Sequence, residues 1–151
     1  MSYTISVYHI VFRTKASQRV LVEENERELY QYINGFVRQK GGVLYRINGM
    51  PDHVHLLVSI PPSIALADFV RDMKVASNGF IKQHPSLFPQ FVGWAAGYFA
   101  GSVSHEHIER VRNYIMGQKE HHRKGTLSDE LRKLLSENGI AINEQYFPKD
   151  V

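Results

Sequence analysis

The chain has 151 residues, 43% of them hydrophobic and 22% charged, the balance of a globular protein large enough to bury its own core, and a single domain over 1–151 is expected. It contains no cysteine, which excludes disulfides and thiolate metal sites and leaves nitrogen and oxygen donors for any metal. A net charge of +3 accommodates a polyanionic partner without demanding one, and the lack of a basic-then-apolar leader or of an apolar run of about 18 residues predicts a cytoplasmic chain with no membrane partner.

Residues 3–12, YTISVYHIVF, are β-branched and aromatic and read as a first strand, with His9 inside it. From Val20 to about Lys40, Leu29, Ile33, Phe36 and Val37 recur at helical spacing until Gly41-Gly42. Val43–Ile47 and Val54–Ile60 then read as a hairpin joined by the turn-forming segment NGMPD. Ser63 is placed to cap a helix through about Gln83, which His84-Pro85 ends. A fourth strand is expected near Tyr98–Val103, followed by a helix over 105–122 capped by Ser104. The extension 123–151 holds a second helix near Ser128–Glu137 and an extended tail. Strand, helix, strand, strand, helix, strand is the order of a split βαβ unit: an α+β, ferredoxin-like (RRM-like) antiparallel sheet with helices on one face and a C-terminal helical extension.

Within MPDHVHLLVSIPP, His53 and His55 alternate with Val54 and so project to one side of their strand, about 7 Å apart along it. Such a pair can close on one metal ion given a further ligand, or can be two partly exposed imidazoles on a solvated face. On the helix expected over 105–122, Tyr114 and Gln118 are four residues apart and share a face beside the apolar stripe Ile108, Val111 and Ile115. A helical tyrosine is also often a rim residue of a core.

His53-Val54-His55, together with Arg112-Asn-Tyr114-Ile-x-x-Gln118, resembles the single-tyrosine HUH transposases of the insertion-sequence 200/605 group and the related REP-associated tyrosine transposases. The likeness runs from YHIVFRTK to GIAINEQYF. It implies that His53, His55 and Gln118 are ligands of a divalent metal, Mg2+ or Mn2+, and that Tyr114 is the nucleophile that attacks a phosphodiester. The expected partner is single-stranded DNA bearing hairpins, the expected intermediate a 5′-phosphotyrosine, and the expected assembly a homodimer with Tyr114 acting in cis or in trans. A tyrosine of ordinary pKa about 10 needs activation at neutral pH, and the sequence names no base.

Candidate DNA contacts are Arg13, Lys15, Arg46, Arg71 and Lys74, with His121-His122-Arg123-Lys124 at the end of the tyrosine helix. Trp94, Tyr98 and Phe99 could stack on bases, yet packing is the expectation for them, because aromatics dominate core burial. His105 and His107, two apart on a helix, point in different directions and make a poor second metal pair. Three other readings stay open: a domesticated hairpin-processing relative, a non-catalytic single-stranded DNA-binding module, and a zinc hydrolase, for which no Glu or third His stands at diagnostic spacing.

Overall fold

The computed structural model describes residues 2–121, 125–144 and 147. Four strands, β1 (Val7–Arg13), β2 (Val43–Met50), β3 (His53–Ser59) and β4 (Phe99–Ser102), form one antiparallel sheet in the order β2-β3-β1-β4. The helices α1 (Glu26–Gln39) and α2 (Leu66–Gln83) cover one face. Their apolar stripes, Leu29, Ile33, Val37, Phe69 and Met73, meet Ile10, Phe12, Val54, Leu56 and Val58 of the sheet in the main core. This is the expected ferredoxin-like arrangement.

The other face is covered by the tyrosine helix, which forms α3 (Ile108–Met116) and a short α4 (Gln118–His121), and by α5 (Leu127–Glu137) of the expected extension. Ile115 packs on Val7 and Leu57, and Leu127, Leu131 and Leu134 pack on Val11 and Phe99. The alternation of β3 therefore has burial on both sides: Val54, Leu56 and Val58 face one core, and His53, His55 and Leu57 face the other, all of them inaccessible to solvent. The solvated-face alternative for the two histidines does not hold.

Several expected boundaries shift, each for a local reason. The hairpin turn is only Pro51-Asp52, because β2 runs on to Met50 and β3 begins at His53. Gly49, opposite Val54, permits this: a Cβ there would sit 2.2 Å from the His53 carbonyl oxygen. The first strand begins at Val7, and α1 begins at Glu26 after a 3-10 turn over Glu23–Asn25. Ser63 is not the cap of α2; Ala65 holds that position in extended backbone without a side-chain bond. Ser104 precedes a 3-10 turn, His105–His107, and its hydroxyl meets His107 Nδ1 at 3.0 Å and caps no backbone N–H. The tyrosine helix is interrupted at Gly117, where α3 ends and α4 begins. Thr126 caps α5 by accepting a bond from the Asp129 N–H at 3.1 Å. His122, Arg123, Lys124 and, of the expected extended tail, residues 145, 146 and 148–151 lie outside the described residues.

Candidate metal centre and tyrosine site

β3 delivers His53 and His55 to the covered face, and α4 delivers Gln118; none of the three is exposed. The fourth member, from α5, is Glu130, whose side chain is 7% exposed. Its Oε1 lies 3.0 Å from His55 Nε2 and 3.4 Å from His53 Nε2. Its Oε2 accepts bonds from Gln118 Nε2 at 2.8 Å and from the Tyr114 hydroxyl. Gln118 Oε1 is 3.2 Å from His53 Nε2. One carboxylate thus joins every residue that the sequence marked as chemical, and the break at Gly117 does not separate Tyr114 from Gln118.

The imidazoles are oriented from behind. His53 Nδ1 meets Asp52 Oδ1 at 2.6 Å, and His55 Nδ1 meets His9 Nε2 at 2.8 Å. Both Nε2 atoms are thereby turned toward Glu130, the arrangement in which an outer hydrogen bond fixes the orientation of a metal-ligating histidine. The ligand atoms of His53, His55 and Glu130 lie within 4.8 Å of one another. Two imidazole nitrogens with a carboxylate and an amide oxygen close by suit a divalent cation, so the donor set fits the expected metal.

Electrostatics follow from burial and these contacts. Burial pulls His53 down, but hydrogen bonds and charge from Asp52 and Glu130 outweigh it and raise the group to about 9. His9, lowered first by burial and then by His55 against the opposing pull of Glu130, falls to about 3 and is neutral at physiological pH. Burial would raise the Asp52 carboxyl, yet His53 and Arg19 hold it below the usual range. The Tyr114 hydroxyl is pushed above its ordinary value by burial and by the Glu130 bond and charge, and so keeps its proton at neutral pH.

The end of α3 is fastened to the sheet. Asn48 Nδ2 donates to the carbonyls of Ile115 at 3.0 Å and Met116 at 3.2 Å. Lys119 Nζ reaches Glu26 Oε2 at 3.0 Å, Asn48 Oδ1 at 3.1 Å and the Gly49 carbonyl. These bonds hold the segment between Tyr114 and Gln118 against β2.

The candidate DNA contacts separate by their surroundings. Lys74 Nζ binds the carbonyls of Ala95 at 2.9 Å and Gly97 at 2.7 Å and tethers a loop. Arg71 is paired with Asp68 and Asp72, and Arg13 Nη1 is 3.1 Å from Ser17 Oγ. Lys15 is exposed, and Arg46 Nε is buried with no hydrogen-bond partner among the described residues. Phe99 is in the core under α5, and Trp94 packs edge-on to Phe12 and Phe91 while donating to Ser77 Oγ. The packing expectation fits both, and Tyr98 stays 41% exposed.

Sequence reasoning missed Glu130, His9 and Asp52, although a signal for the first existed. Glu130 stands within the stripe Leu127, Leu131 and Leu134, where i+3 and i+4 spacing makes it face the sheet with them. A carboxylate on a buried stripe requires a partner.

The fold and the cluster define a ferredoxin-like sheet protein with a histidine-carboxylate cluster that could hold a cation, beside a half-buried tyrosine. The chain belongs to the IS200-like transposase family, whose model matches residues 2–118. It is 32% identical over 115 residues to the ISDra2 transposase TnpA of Deinococcus radiodurans, spanning 74% of this chain and 82% of that protein. It is 25% identical over 122 residues to the IS200 transposase of Salmonella typhimurium, spanning 78% and 80%. Among solved structures, a REP-associated tyrosine transposase bound to a REP hairpin superposes with a TM-score of 0.60 at 13% identity, over 85% of this chain and 76% of the other, a likeness of fold. No described helix is long and apolar enough to cross a membrane.

Proposed function

We propose that this transposase is a metal-dependent, single-tyrosine enzyme that cleaves and rejoins single-stranded DNA at hairpin-marked ends. The observation that carries the reading is the convergence on Glu130 of His53, His55, Gln118 and Tyr114, from three separate elements. His53, His55 and Glu130, with Gln118, would hold the divalent ion, which when bound polarises a phosphate oxygen and screens developing charge.

The chain's own groups account for the rest. Asp52 and His9 fix the two imidazoles, and the bonds from Asn48 and Lys119 hold Tyr114 and Gln118 in register. Tyr114 keeps its proton until attack, and Glu130 Oε2 is the acceptor already hydrogen-bonded to it. In the step, the phenolic oxygen bonds to phosphorus, the bond from phosphorus to the 3′ oxygen breaks, and the tyrosine proton passes by way of Glu130 to that leaving oxygen. The products are a 5′-phosphotyrosine and a free 3′-hydroxyl, and reversal with another 3′-hydroxyl rejoins the strand. The reading takes 1–151 as one catalytic domain, cytoplasmic, and working as a homodimer.

The test incubates the protein with labelled single strands from the flanks of its own gene, with Mn2+ or with EDTA, and resolves the products by denaturing electrophoresis. A metal-dependent covalent adduct that disappears in Tyr114→Phe is the expected result. Hairpin binding with no adduct would assign a binding module instead, and strand scission that leaves a 5′-phosphate and no adduct would assign a hydrolase.

A further inference from the structure

A cavity of about 340 Å3 opens between α3, α5 and β4 on the side of Tyr114 away from the histidine pair. Tyr114 and His9 line it, whereas His53, His55, Gln118 and Glu130 do not, so the tyrosine ring and His9 form the partition between the cavity and the cation site. Its floor also includes Phe99, whose ring stands edge-on to His9 at 5.8 Å between centroids. Two exposed cations stand on opposite walls, Arg110 on α3 and Lys133 on α5. Arg110 makes no ion pair among the described residues, and Lys133 has only Glu137, at 4.0 Å. Asn138, at the end of α5, adds an amide whose Nδ2 is given to the Leu134 carbonyl and whose Oδ1 faces Gly101.

The half-buried Tyr114 ring between Arg110 and Lys133, which outnumber the lining's one carboxylate, Glu137, offers what one nucleotide of a single strand needs: a surface for the base and positive charge for its phosphates. The size is that of a small-ligand pocket rather than of a duplex groove. Resting on the single-strand reading above, we infer that this cavity seats the nucleotide adjoining the bond that is cut, with Arg110 and Lys133 on its flanking phosphates. α5, which carries Lys133, lies beyond the residues matched by the family model.

The test uses full-length Tyr114→Phe, which leaves the strand intact, titrated with flank-derived single strands carrying 2-aminopurine at one position each. The expected result is a fluorescence change confined to one position adjoining the bond that the wild-type protein cuts, and an abasic residue at that position weakening binding roughly fivefold or more. Arg110→Glu with Lys133→Glu should abolish the positional signal and weaken the strand about tenfold more than Arg38→Glu, the same kind of change on the opposite face of the sheet. Thermal melts establish that the variants are folded, and Lys133→Arg should retain the signal. A change spread evenly along the strand, or a positional signal that survives the double reversal, would overturn the subsite. Adduct formation by the wild-type protein on the same strands is scored separately, so a protein that cleaves without the positional signal loses only this inference.

Discussion

His9 and His53 stand on neighbouring strands of one buried cluster and answer protons in opposite ways. For His9, neutral in the fold down to about pH 3 but protonated below about 6.5 when unfolded, the unfolded state binds the extra proton, so its contribution is lost as pH falls below 6.5. For His53, raised to about 9, the folded state binds the extra proton, so its contribution is complete below 6.5 and is lost as pH rises through 9. Together they place the stability maximum of the metal-free protein near pH 6.5, to be read from urea unfolding in EDTA across pH 4 to 10. Metal must displace the His53 proton, so its apparent affinity should climb with pH, up to about tenfold per unit, until about 9. Saturating Mn2+ should therefore remove the alkaline decline. Asp52→Asn keeps the shape behind His53 but loses the charge, and calorimetry should find Mn2+ affinity reduced about 10- to 100-fold with the fold intact.

At the scale of elements, the hairpin that carries His53 depends on Gly49. A methyl group there would meet the His53 carbonyl oxygen at 2.2 Å, and backbone cannot yield as a side-chain tip does. Gly49→Ala should cost about 1–3 kcal/mol in urea unfolding and weaken Mn2+ binding as well, because β3 must shift. Gly35→Ala, on α1 with nothing within 4 Å, should instead leave binding unchanged and stabilise by about 0.5–1 kcal/mol. The sequence showed the elements well, since periodicity and turn residues are local: all four strands and the helices around Leu29, Phe69 and Ile115 stand where their patterns put them. It showed less of where elements end, as Gly117 and Ala65 illustrate, because a helix stops where tertiary contacts or a glycine outweigh the pattern. Of the site, His53, His55, Tyr114 and Gln118 carried local spacing that made them visible. Glu130, 75 residues from His55, carried only its place on the leucine stripe of α5, and only the packing of α5 on β1 and β4 reveals what it meets.

For the molecule as a whole, the sheet separates two cores with different duties. The face under α1 and α2 is the larger and mainly apolar; the face under α3 and α5 joins smaller apolar clusters to the polar site. Stability and site geometry should therefore respond separately to cavities on the two sides. Leu29→Ala, in α1 and fully buried, should cost about 2–5 kcal/mol while leaving metal affinity unchanged in the fraction that stays folded. Leu131→Ala, next to Glu130 and 9% exposed, should cost about 2 kcal/mol and loosen the one helix that brings the carboxylate in. In paired urea and Mn2+ titrations, the second variant is expected to lose more binding than the first despite losing less stability. Parallel losses in the two variants would mean that α5 does not dock independently and that the carboxylate is held by the fold as a unit. The divergent result would instead make α5 the element that completes the site, attached to the 2–118 core by three leucines and a buried glutamate.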